Sequence, residues 1–81
     1  MRWRNFNEWK AYTITYLLNL QPKSEAMRLD ITALLNRLND ARSRDLGRVL
    51  LKLHEFSLKY NIDLREILPT PKEVDQFFSQ E

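Results

Sequence analysis

The chain has 81 residues with no Cys, one Gly, one His and a formal net charge of +2 at pH 7. That length holds one core, in which size scaling buries about 64 % of the unfolded chain's surface, leaving little stability to spare. Without Cys there are no disulfides, thiolate zinc sites or cysteine nucleophiles, and a single His excludes multi-imidazole metal sites.

No apolar run approaches the roughly 18 residues that a membrane span needs. Arg2 and Arg4 open the chain, but Glu8 interrupts them and "AYTITYLLNL" is too polar for a signal core, so the expectation is a cytoplasmic, unprocessed protein. Charge is uneven along the chain. Residues 1–52 carry ten Lys/Arg against five Asp/Glu, and residues 53–81 carry three against six. A basic front and an acidic tail favour partner choice by charge or contact between copies, while the total is too small to mark a dedicated nucleic-acid binder.

The first helix is expected to open at Asn5, where Asn5 and Glu8 have the spacing of a capping box. Phe6, Trp9, Thr13, Tyr16, Leu17 and Leu20 then share one face at 100° per residue, with Ala11, Ile14 and Leu18 on a second, narrower strip. "QP" at 21–22 should end this helix, because the residue before Pro disfavours the α conformation. A second helix follows from about Pro22 or Ser24 to Ala41, its stripe formed by Met27, Ile31, Leu34, Leu38 and Ala41. The third runs from about Arg44 to Tyr60, with Leu46, Val49, Leu50, Leu53, Phe56 and Tyr60 on one face. "NDARSRD" between them favours a hairpin, with Ser43 and Asp45 at a helix start. One unbroken helix is the alternative, since the two stripes would stay within about 60° of each other. Asn61 suits a left-handed cap, with Ile62 packing back. Asp63 with Glu66, and Thr70-Pro71 with Glu73, predict two short C-terminal helices. The fold class is therefore all-α: a small helical bundle of three main helices plus two short C-terminal ones, with residues 1–81 as a single domain.

No constellation supports catalysis. His54 and Ser57 are close enough to touch on a helix, but a nucleophile also needs an orienting group and an oxyanion site, and Glu55 points about 100° away. The lone Gly47 cannot build a phosphate loop, and no carboxylate cluster matches a calcium loop. No cofactor, metal or small-molecule substrate is expected, and the protein reads as a non-enzyme.

Two binding surfaces remain. Arg44, Arg48 and Lys52 repeat every four residues, and Arg37 and Arg42 lie near the same end, so together they form a basic edge able to meet phosphates. Asp40 and Asp45 dilute it. The other surface is surplus apolar area: Ala11, Ile14 and Leu18 on the first helix, Leu51 and Leu58 beside Gly47 and His54 on the third. Trp3, Phe6 and Trp9, interleaved with Arg2, Arg4 and Lys10, have the pattern of a membrane-interface segment. Phe6 and Trp9 nevertheless continue into the stripe ending at Leu20 and so belong to the core. The function expected is a small regulatory or adaptor module working through helix-face contacts with a partner protein or a second copy. The alternative is a nucleic-acid binder, a DNA regulator or ribonucleoprotein component, using the edge around residues 37–52.

Overall fold

Helices start where the chain can satisfy its free backbone N–H groups, and three of the four here do so with a short polar side chain. In the computed structural model, which describes residues 2–79, these starts produce four α-helices: α1 (Phe6–Leu18), α2 (Glu25–Asp40), α3 (Leu46–Tyr60) and α4 (Pro71–Ser79). Asn5 Oδ1 accepts from Glu8 N at 2.9 Å, and Ser24 Oγ accepts from Met27 N at 3.1 Å. The Glu8 carboxylate reaches back one residue further than expected and accepts from Arg4 N at 3.0 Å. At α4 the box is fully reciprocal: Glu73 N donates to Thr70 Oγ1 and Thr70 N donates to Glu73 Oε1. Pro71 then occupies the first helical position, where its missing N–H costs nothing.

Residues 24–60 form a hairpin rather than one helix. Ala41 turns extended at ψ 143°, and Ser43–Asp45 make one 3-10 turn that leads into α3. Arg42 N donates to Asp45 Oδ2 at 2.9 Å, so the break is capped from its far side. Lys10 of α1 donates to the carbonyls of Asn39 and Ala41, each at 3.0 Å, which supplies the α2 end with cationic donors.

The first helix stops at Leu18, three residues before Gln21, with Asn19 N bonded to the Thr15 and Tyr16 carbonyls. At the end of α3, Asn61 takes the left-handed conformation (φ 53°) and Ile62 N donates to Ser57 O. The first of the two short C-terminal helices does not form. Residues 64–68 make a single turn, because the Asp63 carboxylate accepts from Arg65 N two residues on, while Glu66 accepts from the Tyr12 hydroxyl at 2.8 Å. The bundle thus has three main helices and one short C-terminal one.

The buried side chains form one cluster. α2 packs against both α1 and α3, and the stripe residues Met27, Ile31, Leu34, Leu38 and Ala41 are all buried. The termini close over the α1 side. Trp3 is buried, as are Phe6 and Trp9, so none of the three rings is free to lie in a lipid interface. Trp9 Nε1 donates to the Ile67 carbonyl at 2.6 Å, and the Phe77 ring of α4 packs on Phe6 and Trp9. Arg2 stacks on Trp3 and donates to the Glu73 carboxylate and to the carbonyls of Glu66 and Leu68, joining the first residues to the last helix.

Candidate functional site

One helix is apolar on two faces, one of them buried and the other open. In α3, Leu46, Val49, Leu53 and Phe56 point into the core. About 150° around the helix, at 100° per residue, stand Gly47, Leu51, His54 and Leu58, all exposed. Leu51 is 57 % exposed and Leu58 70 %, more than a buried-face leucine shows anywhere in the bundle. A Cβ built on Gly47 would meet nothing within 4 Å, so the strip has open space at its N-terminal end. The spacing of these four residues, four, three and four apart, is that of a helix-pairing seam.

The α1 half of the expected contact surface is less available. Ala11 and Leu18 are exposed, but Ile14 is half-buried and packs against the core. Outside α3, Leu18, Leu29 and Phe78 are also exposed, at 66 %, 54 % and 44 %.

Beside the strip, on the α2 side of α3, an open groove of about 810 Å³ runs between α2 and α3. Ala33, Leu34, Val49 and Phe56 supply its apolar floor. Arg48 and Lys52 of the four-residue repeat line it together with Arg37 and Lys59, while Arg44 does not. Asp30, Asp40, Asp45 and Glu55 share the same rim, so four cations face four carboxylates and the lining has no net charge. Lys59 pairs with Asp30 at 2.9 Å and Lys52 with Glu55 at 3.7 Å. The hydroxyl of Tyr60 and the ammonium of Lys59 hold the Asp30 carboxyl below its usual range by hydrogen bonding. Arg42 and Arg44 lie outside the groove, exposed at the joint. Among the described residues, Arg37, Arg42, Arg44 and Arg48 have no carboxylate at ion-pair distance.

In the His54–Ser57 pair, Ser57 Oγ donates to the backbone carbonyl of His54 at 2.7 Å and not to its imidazole. Among the described residues, no three His, Asp or Glu side chains converge on a point where a cation could sit. No described helix is long and apolar enough to cross a membrane.

Sequence reasoning missed Asp30, Ala33, Glu55 and Lys59 as parts of the groove. The signal was present: Asp30 and Ala33 flank the α2 stripe at helical spacing, and Glu55 and Lys59 do the same for α3. It becomes readable only once the two helices are known to be antiparallel neighbours. Comparison with family models, curated proteins and solved structures finds no match for this chain.

Proposed function

We propose that the protein is a small non-enzymatic regulatory or adaptor module, and that it binds a helix of another polypeptide on the Gly47–Leu51–His54–Leu58 face of α3. The carrying observation is the exposure of Leu51 and Leu58, 57 % and 70 %, on the same helix whose other face is sealed at Leu53. Two leucines seven residues apart, with an imidazole between them and a glycine one turn before the first, give a partner helix a row of contacts about three turns long. Desolvating the part still exposed contributes about 1–2 kcal/mol per leucine.

One observation favours a second reading, in which the exposed Arg37, Arg42, Arg44 and Arg48 meet nucleic-acid phosphates: among the described residues, all four lack a carboxylate partner. Against it stands the even charge of the groove that two of them line.

Site-specific photo-crosslinking in cells separates the readings. A photoreactive residue at Leu51 or Leu58 should give protein adducts, while the same residue at the exposed Lys23 gives none. Adducts to nucleic acid from Arg44, with none to protein from the strip, would move the function to the basic edge.

A further inference from the structure

We infer that the occupant of the α3 strip is a second copy of the same strip, running antiparallel, so that two chains form a two-fold dimer through α3. This rests on the proposed helix-face function and adds the identity of the partner. Two features of the strip are self-complementary in this direction and not in the parallel one, and its register permits the pairing. The first is size. Pairing Leu51 with His54 of the second copy places Gly47 opposite Leu58, where the glycine leaves open space for the leucine. A parallel pair would instead set glycine against glycine and leave a void.

Charge is the second. Arg48 and Glu55 flank the strip on its α2 side, exposed at the rim of the groove, seven residues apart and opposite in sign. Antiparallel pairing carries each Arg48 across the seam to the Glu55 of the other chain, and the two-fold axis repeats the contact. Among the described residues, Arg48 has no ion-pair partner within its own chain, and Glu55 has only Lys52 at 3.7 Å. In the parallel arrangement both residues would face Leu50 or Ser57 and gain nothing. Register permits the pairing. The axis falls between Lys52 and Leu53, beside the middle of the 15-residue helix, so the two helices overlap along almost their whole length. One helix pair buries less than the roughly 1,200 Å² of a stable interface, so the affinity expected is micromolar.

Sedimentation equilibrium of the full chain, from low micromolar to near millimolar, tests this. The wild type should pass from monomer to dimer across that range. Arg48→Glu and Glu55→Arg, both at exposed positions, should each weaken the dimer about tenfold, because each reversal sets like charges opposite twice. The combined R48E/E55R variant exchanges the signs and should restore wild-type affinity, while circular dichroism shows all variants folded. A chain that stays monomeric throughout, or a double variant as weak as either single one, overturns the inference. Protein adducts from Leu51 in cells would then leave the helix-face function standing with a different partner, and their absence would remove both.

Discussion

Thr13 carries a side-chain oxygen that is fully buried without a hydrogen-bond partner. A helical threonine usually bonds the carbonyl four residues back, as Thr15 does to Ala11 and Thr32 to Arg28, each at 3.0 Å. Thr13 instead sits on the buried face between Trp9 and Leu17 with its hydroxyl desolvated. Leaving such a group unpaired costs about 1–3 kcal/mol, and valine keeps the shape while removing the oxygen. Helix propensity hardly changes between the two residues. Thr13→Val should therefore raise stability by about 1 kcal/mol, seen as a higher urea midpoint with an unchanged slope. A lower midpoint would show that the hydroxyl is bonded in solution. The position was legible in the sequence as part of the α1 stripe. Its missing bond was not, since periodicity reports facing and says nothing of hydroxyl geometry.

At the scale of elements, local capping was legible and long-range capture was not. Asn5, Ser24, Asn61 and Thr70 each mark a helix end through atoms within a few residues, and those ends stand where the spacing put them. Asp63 and Glu66 have the same spacing as Thr70 and Glu73, yet only the second pair caps a helix. Tyr12, 54 residues away, takes Glu66, and Arg65 takes Asp63. Lys10 likewise reaches from α1 to finish α2, a contact no local pattern contains. The candidate surfaces divide in the same way. The leucine strip and the row from Arg44 to Lys52 follow from periodicity, while the acid side of the groove needed the hairpin to be known.

Glu73 shows what such capture contributes. Hydrogen bonds from the Arg2 guanidinium, joined by the Thr70 N–H, outweigh the cost of burial and hold its carboxyl down to about 2. A depressed folded value adds stability that is complete above the ordinary carboxylate range and is lost as pH falls from about 4.5 toward 2. Thermal melts across that window should therefore fall more steeply for the wild type than for Glu73→Gln. At neutral pH the substitution should cost about 2 kcal/mol, less than the full shift implies because the Arg2 side chain is 43 % exposed. Asp30 and Asp63 are also held low, but both proteins retain them, so the difference between the two curves isolates Glu73. Parallel curves would mean that Arg2 and Glu73 are not joined in solution.

For the whole molecule, the question is how so short a chain stays closed. Its radius of gyration, 12.4 Å, is near the roughly 12 Å of a globular chain this long, although its long axis reaches 39 Å. α2 bridges α1 and α3, whereas α4 joins the rest through a few large groups: Phe77 against Phe6 and Trp9, and Glu73 under Arg2. A chain of 81 residues has a total stability of about 4–12 kcal/mol. Replacing a buried Phe with Ala removes about 3–5 kcal/mol. Phe77 is 1 % exposed, whereas its neighbour Phe78 is 44 % exposed, so two adjacent residues of one type give an internal comparison. Phe77→Ala should lower the melting temperature by at least about 12 °C, and Phe78→Ala should change stability by no more than about 0.5 kcal/mol. Differential scanning calorimetry measures both. Equal losses would place Phe78 in a contact of its own, and a small loss at Phe77 would mean that the bundle is closed by α1, α2 and α3 without α4.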